Sequence, residues 1–470
     1  MRFMITKWLG DSLLIGRIAV AVYISMLIFI IGYGYYVVPY VLFLISFLFI
    51  VVNLSKLKFF KLLEQRPLIQ KLLLVFLIAL LLRFLLLFQD QVITRDIVMY
   101  AQRYEMLRAG KIPYLDFAVN KPPLYAYLLQ FIGNMLGGGV VQFRAFFSIL
   151  DAVVTVFVFY LCLVKYNEKF SYKASFIYAI CPLPIIAIGL SGHYEPAVMI
   201  FVLLSVILLL KNRYNLSALC LGISFALKFF PIVLLPFFAW KINSWHKRFS
   251  YILLFSLPIL ISVLPIVLMT PEAFWNYLNT QFVTWTAKKS FAFSIQEILG
   301  ATTFLNLKIS LLISALFLGL IFFMFVSWVR KRFNVTFWFK IIIIIFAVYY
   351  GLFITASIKF YHSELGLNDP VPTMLAFAFI YFFIVAVVAY NLRQHSELKI
   401  ENREEFYILV MFALIFLLFG SNQYNPWYVL WFLPFLLAVK NVNIKLILLL
   451  LVFWNFEGLG ISLLPGLVLT

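Results

Sequence analysis

Charged residues are scarce in this 470-residue chain, because Asp, Glu, Lys and Arg make up 12% of it, against about 25% in ordinary soluble domains. Hydrophobic residues make up 65%, a share that excludes a soluble globular protein. Long stretches carry no charge at all, as from Ile18 to Ser55 and from Pro122 to Phe143. About 20 apolar residues suffice for a helix to cross a bilayer, so the sequence predicts a polytopic membrane protein.

Cysteine is also rare, and its three copies, Cys162, Cys181 and Cys220, lie apart in apolar segments. Such spacing suggests neither a disulfide framework nor a thiolate metal site. Segments of about ten residues with alternating polarity are absent, which disfavours a lipid-facing β-barrel. Helical spans remain, with candidates near 13–32, 36–54, 70–89, 142–164, 174–190, 195–210, 215–240, 249–269, 309–329, 338–358, 371–391, 405–420, 427–439 and 444–463.

The net charge of +19 raises the alternative of nucleic-acid binding, and the placement of the cations argues against it. With the N-terminus inside, the predicted inner loops and the N-terminal segment collect 25 of the 37 basic residues. This asymmetry is what the positive-inside rule describes for membrane proteins. We therefore expect a multi-pass protein with a cytoplasmic N-terminus and no nucleic-acid partner.

One predicted span contains its own break. The run 215–240 includes Lys228, Pro231 and Pro236. Proline lacks a backbone donor and disfavours helix in the residue before it, so the sequence predicts a break near Phe230. Two other charges, Arg83 and Asp151, fall within or at the edges of spans, where an ionisable residue indicates function by default. For Asp151 we favour the alternative of pairing with another side chain.

Three outer segments, 90–141, 270–308 and 359–370, are too long to be simple turns, and we expect function there. The first begins with an amphipathic pattern, since apolar residues recur at helical spacing on one face until Gly110 and Pro113 end the helix. Such a helix suits the membrane interface, although an inert connector fits equally well.

Asp96, at the start of this predicted helix, is a candidate general base. The alternative is that Asp96 caps the helix or interacts with the helix dipole.

The first outer segment resembles the first outer loop of the GT-C superfamily of glycosyltransferases. The residues that carry this resemblance are Asp96, Tyr100, Gly110, Pro113, Tyr114, Asp116, Lys121, Pro122 and Pro123. Further matches follow in that family's order. They are SGHYEP at 191–196, ALKFFPIVLLP at 226–236 and QYNPWYVLWFLP at 423–434, the second resembling polyprenol-dependent mannosyltransferases. Together they cover roughly residues 70–440. Arg95 is the neighbour of Asp96, so the chain resembles the branch with a single Asp.

The resemblance implies an all-α polytopic fold, a GT-C-like bundle of about 13–15 transmembrane helices. It divides the chain into an added N-terminal hairpin (1–60), a catalytic domain (61–440) and a C-terminal helix (441–470). It implies inverting transfer of a hexose from a polyprenyl-phosphate donor such as a dolichyl-phosphate sugar. The hexose would be mannose, the commonest donor sugar among relatives with the lysine-proline break. The acceptor would be a lipid-linked or cell-surface glycan, and the active site would face away from the cytoplasm in the cell membrane, or in the endoplasmic reticulum membrane of a eukaryote.

The same resemblance assigns residues to this chemistry. Asp96 would be the general base, and Lys228 would stabilise the departing phosphate unless it extends to lipid headgroups. Substrate contacts would come from Tyr100, Tyr114, Asp116, Lys121, Arg144, His193, Glu195, Lys228, Gln423, Tyr424, Asn425 and Trp427. No cofactor is indicated, and the single Asp gives no support for a divalent metal.

Two other classes of function remain open at this stage. A lipid or sugar transporter or flippase would place ionisable residues near the midplane, often in paired broken repeats, whereas polar residues concentrate here at one face. A noncatalytic scaffold would explain the spans but would leave segment 90–141 without a role.

The charge asymmetry generates a first test, by reporter fusion. Reporters placed after Lys61 or Lys331 should be cytoplasmic, and reporters near Gly110 or Lys288 should lie on the opposite side of the membrane. A cytoplasmic signal at Gly110 would contradict both the predicted topology and the face assigned to the active site.

Overall fold

The computed structural model describes residues 12–33, 37–54, 60, 65–89, 94–273, 275–276, 407, 410, 414 and 426–439. Within these residues all extended regular structure is helical, and the one β-bridge is an isolated pairing of Pro113 with Phe117. The predicted segment 359–370 lies outside them, as does nearly all of 270–308. The predicted spans from 309–329 to 405–420, together with 444–463, also lie wholly or almost wholly outside them.

The helices, in chain order, are α1 (Ser12–Tyr33), α2 (Val37–Asn53), α3 (Leu68–Phe84), α4 (Arg95–Arg108), α5 (Pro123–Leu136), α6 (Val140–Leu163), α7 (Glu168–Ala179), α8 (Glu195–Leu210), α9 (Tyr214–Leu227), α10 (Leu235–Lys241), α11 (Trp245–Met269) and α12 (Leu433–Leu437). A turn at Pro182–Pro184 and a π-helix at Ile185–Leu190 continue α7, and 3-10 helices occupy Phe230–Leu234 and Pro426–Trp431.

Three helical stretches of the described residues are long and apolar enough to cross a membrane: Val140–Leu163, Glu168–Leu190 and Trp245–Met269. The all-α polytopic fold is thus confirmed. Several predicted bounds need correction. Span 70–89 is helical only to Phe84, and span 427–439 consists of two short helices. Segment 90–141 contains a second helix, α5, after the predicted amphipathic one.

Prolines interrupt the predicted span 174–190. The residue before a proline disfavours the helical conformation, and Cys181, before Pro182, is extended at φ −66° and ψ 127°. Carbonyls at the end of α7 are thereby left without helical donors. The Arg83 guanidinium donates to Ala179 O at 2.8 Å, and the Tyr23 hydroxyl donates to Ile180 O at 2.6 Å.

Arg83 also forms the ion pair expected for Asp151. Its Nε lies 2.6 Å from Asp151 Oδ2, with both side chains almost fully buried. The Tyr178 hydroxyl donates to Asp151 Oδ1 at 2.9 Å. The pairing prediction for Asp151 is confirmed, and this network fastens α3, α6 and α7 together in the interior of the bundle.

The predicted break near Phe230 is also confirmed. Helix α9 ends at Leu227, Lys228 is extended, and the 3-10 helix begins at Phe230. Helices α8 and α9 are antiparallel, since Ser205 and Ser217 each donate to the other's carbonyl, at 2.7 and 2.8 Å. The start of α8 and the end of α9 therefore meet at one end of the bundle, called here the site end.

Candidate active site

Helix α4 carries Asp96 to the site end. The predicted amphipathic face is confirmed, because Ile97, Tyr100 and Tyr104 are buried while Glu105 and Arg108 are exposed. Asp96 lies in the first turn, and its side chain is 35% exposed. Its Oδ2 lies 3.5 Å from Nδ1 of His193, whose side chain is buried.

A tight turn at 191–194 brings His193 against α4. Gly192 adopts φ +70°, and a Cβ there would lie 2.5 Å from Ile97 Cδ1 and 3.1 Å from Arg144 Cγ. Only glycine fits this conformation and this close approach without strain. The Thr94 hydroxyl fastens α4 to the same turn by donating to Ser191 O at 2.9 Å. Gly192 therefore permits the turn that places His193 against Asp96.

Trp427 completes the surroundings of His193. The two rings stack with centroids 3.9 Å apart and an interplanar angle of 18°. Trp427 belongs to the 3-10 helix Pro426–Trp431, which lies more than 230 residues further along the chain. Stacking on one face and the Asp96 carboxylate at the ring edge together fix the orientation of the imidazole.

The charges around Asp96 keep its carboxyl group ionised. Burial raises its pKa, but the contact with His193 and the charges of His193, Lys121 and Lys228 lower it, so that the pKa falls from 3.8 to about 2. Above that pH the group is a carboxylate. A carboxylate that is still one-third exposed has the charge and the access that accepting a proton requires.

Lys228 forms the second charged centre. Its ammonium pairs with Glu195 Oε1 and lies 5.0 Å from the ring centre of Tyr194, 4.5 Å from that of Tyr428 and 5.2 Å from that of Trp431. Aromatic faces attract a cation at such distances. The side chain is 9% exposed, so Lys228 is held inside the protein rather than extending to lipid headgroups.

Three polar atoms around Lys228 are buried without a hydrogen bond. Among the described residues, Tyr194 Oη, Glu195 Oε2 and Trp431 Nε1 find no partner. Buried polar atoms are almost always partnered in native proteins, and each exception calls for an explanation. Their concentration around one ammonium marks this cluster as a place where a polar ligand would supply what the protein does not.

Lys121 is the second lysine of the site. Its backbone is fixed, because the Tyr114 hydroxyl donates to Lys121 O at 2.7 Å. Its half-buried side chain forms no hydrogen bond or ion pair with the described residues. Burial, followed by the charge of Lys228, lowers the pKa of Lys121 to about 8, although Asp96 and Glu195 oppose the shift.

Other predicted substrate residues have partners within the protein. Asp116 is exposed and accepts a hydrogen bond from Ile112 N at 2.7 Å, which closes a local turn. Arg144 is buried and donates to Gln89 O at 2.8 Å, so it fastens the turn after α3. Tyr100 is buried against four aromatic rings, of Tyr125, Phe143, Phe147 and Tyr194. Gln423, Tyr424 and Asn425 lie outside the described residues.

Sequence reasoning missed several members of the cluster. Tyr194 lies inside the motif 191–196 and Trp431 inside the motif 423–434, but neither is among the predicted substrate contacts. Tyr125, whose hydroxyl accepts from Arg103 at 3.2 Å, lies on α5. The proline pair before an uncharged apolar run was the available signal for that helix. In the described part of the chain, no three His, Cys, Asp or Glu side chains converge as a metal site would require.

The described fold is therefore that of an all-helical membrane protein with an ionised carboxylate, three basic groups and clustered aromatic rings at one end. The sequence profile of glycosyltransferase family 87 matches residues 122–355, about half of the chain. The protein belongs to this GT-C-type family and is a membrane glycosyltransferase that uses a sugar donor and a glycan acceptor. No curated protein and no solved structure matches the chain. Family membership decides against the transporter and the scaffold.

The role of Gly192 can be tested by replacement with alanine. Gly192→Ala combines a positive φ with contact against Ile97, whereas Gly110→Ala has φ +77° with open space around the new Cβ. Positive φ costs a non-glycine residue roughly 1 kcal/mol. Gly110→Ala should lose about that much stability, while Gly192→Ala should lose more and should transfer sugar at least about tenfold more slowly. Thermal unfolding and transfer assays measure both; equal effects would contradict the close-approach argument.

Proposed function

We propose that this enzyme moves a hexose from a polyprenyl-phosphate donor to a lipid-linked or cell-surface glycan at the extracytoplasmic face, with inversion at the anomeric carbon. The observation that carries the proposal is the charge and position of the Asp96 side chain. It is ionised, partly exposed, and placed on an amphipathic helix beside two lysines. A helix in the membrane interface is where a lipid-anchored donor presents its headgroup.

The reaction needs one base and one charge-stabilising group. Asp96 accepts the proton of the acceptor hydroxyl as that oxygen forms its bond to the anomeric carbon. The bond from the anomeric carbon to the phosphate oxygen breaks on the opposite side, and the polyprenyl phosphate leaves with the electron pair. A single displacement of this kind inverts the configuration.

Lys121 is the better placed of the two lysines to meet the leaving phosphate. Lys228 already has an ion-pair partner in Glu195 and three rings around its ammonium. Lys121 has a fixed backbone and a side chain without an ion pair among the described residues. We therefore assign the direct phosphate contact to Lys121, with Lys228 adding positive potential behind it.

The sugar itself is assigned to the polar atoms around Lys228. Glu195 Oε2 only accepts hydrogen bonds while Glu195 is ionised, and Trp431 Nε1 only donates them. Hydroxyl groups do both, whereas a phosphate group offers no donor to a carboxylate and is repelled by its charge. Mannose as the hexose follows from the resemblance of 226–236 alone, and Gln423 and Asn425 remain predicted further contacts.

The assignment of Asp96 is tested by Asp96→Asn, which preserves shape but removes the base. Transfer should fall by roughly 10²–10⁴-fold while donor binding is retained. Asp116→Asn is the control, because Asp116 closes an exposed turn and its loss should affect stability more than turnover. The measurement is transfer from a synthetic polyprenyl-phosphate hexose by purified protein, with the product anomer determined by NMR. Near-normal turnover in Asp96→Asn with an inactive Asp116→Asn would exchange the two roles, and activity in both would refute the mechanism.

The assignment of Lys121 predicts a pH dependence of donor binding. With its pKa lowered to about 8, Lys121 is charged below that pH and loses its charge as the pH rises through it. The KM for the donor should therefore increase above about pH 8 in the wild type. Lys121→Arg should remain charged and move the increase to higher pH, whereas Lys121→Met should bind the donor weakly at every pH. A pH profile that is identical in all three proteins would contradict the assignment.

A further inference from the structure

The N-terminal hairpin of α1 and α2 packs on the body of the protein through one face of α1. Ala19, Tyr23, Leu27 and Ile30 are buried at helical spacing, and Ile18, Ile24 and Ile28 are exposed on the other side. A helix held only as a membrane anchor would need no polar contact with the body. This helix makes two, and both satisfy backbone carbonyls.

The first contact satisfies the broken span. The Tyr23 hydroxyl donates to Ile180 O at 2.6 Å, immediately before Cys181 and Pro182 interrupt α7. In the membrane interior an unpaired carbonyl costs several kcal/mol, since lipid supplies no donor. Arg83 satisfies the neighbouring carbonyl of Ala179. One donor from the body and one from the hairpin therefore stabilise the same break.

The second contact lies closer to α4. Gln89 Nε2 donates to Ile30 O, in the last turn of α1, at 3.1 Å. Gln89 O in turn accepts from the buried guanidinium of Arg144 at 2.8 Å. Gln89 precedes Asp96 by seven residues, so the hairpin contacts the segment that leads to the candidate base.

Both contacts lead to the same place in the site. From the break at 180–184 the chain runs through the π-helix Ile185–Leu190 to the turn that carries His193. From Gln89 it runs to Asp96, and the Thr94 hydroxyl joins the two paths at Ser191 O. Asp96 and His193 thus each follow, along the chain, a residue that contacts the hairpin.

We propose that the N-terminal hairpin is a positioning element of the active site and that Tyr23 is its principal positioning residue. The hydroxyl of Tyr23 fixes the end of α7, the π-helix then sets the turn 191–194, and His193 is held beside Asp96. The hairpin acts through these segments and contributes no group to the reaction.

The test is Tyr23→Phe in the full-length protein, with Tyr407→Phe as the matched control. The Tyr407 hydroxyl also donates to a buried carbonyl at 2.6 Å, but its acceptor is Leu161, near the end of α6 away from the site. Amide hydrogen exchange of the peptides covering 183–196 is measured in both variants. In parallel, kcat and KM are measured for transfer from the synthetic polyprenyl-phosphate hexose.

We expect Tyr23→Phe to exchange about tenfold faster than wild type over 183–196, the effect of losing one hydrogen bond of about 1.4 kcal/mol. Its kcat should fall about tenfold or more with little change in KM, since displaced groups affect turnover more than donor binding. Tyr407→Phe should leave the 183–196 exchange and kcat near wild type. Wild-type exchange and kcat in Tyr23→Phe, or equal effects in both variants, would overturn the proposal.

A second variant and a readout that does not depend on the donor complete the test. If Tyr23→Phe does not accumulate as folded protein, Gln89→Met removes the second contact without touching the break. For that variant, hydrogen exchange is measured over residues 94–100 at the start of α4, the segment that follows Gln89 in the chain. Wild-type exchange there together with a wild-type kcat would overturn the proposal. The kinetic measurement rests on the proposed donor, whereas hydrogen exchange does not. If wild type transfers no sugar, the proposed donor fails and the exchange result alone decides the role of the hairpin.

Discussion

The requirement that every buried carbonyl find a donor inside the protein governs this structure, because the hydrocarbon core of a membrane supplies none. Two predicted spans are interrupted by proline, after Ala179 and after Leu227. At the first break, donors from α1 and α3 satisfy the carbonyls. The chain can then leave helical geometry without an energetic penalty and form the turn that carries His193. A continuous helix would have placed no polar group there.

A close, buried ion pair distinguishes the structural charges from the catalytic candidates. Arg83 and Asp151 are buried, hydrogen-bonded and paired at 2.6 Å, and they fasten three helices together. Asp96, by contrast, is partly exposed with one contact at 3.5 Å, and Lys121 has no ion pair among the described residues. A charge that is already paired within the fold has little left to offer a substrate. A charge that is incompletely paired can still bind one.

The sequence predicted the interfacial helix, the break near Phe230 and the pairing of Asp151, since each follows from local periodicity, proline chemistry or the cost of charge in lipid. It did not reveal which protein groups the other polar side chains would meet. Among the predicted substrate residues, Asp116 accepts a hydrogen bond that closes its own turn. Arg144 donates to carbonyls of the turn after α3. Local patterns do not reveal which partner a side chain meets.

The sequence by itself determined an all-helical membrane protein of the GT-C type, because hydropathy, charge asymmetry and ordered short motifs are properties of contiguous residues. Only the tertiary structure decided which residues come together in the candidate site. Trp427 reaches His193 from the far end of the chain, and Glu195 neutralises Lys228 across two antiparallel helices. Such contacts arise from helix packing, where burial and the need to pair each polar atom select partners that no local sequence pattern specifies.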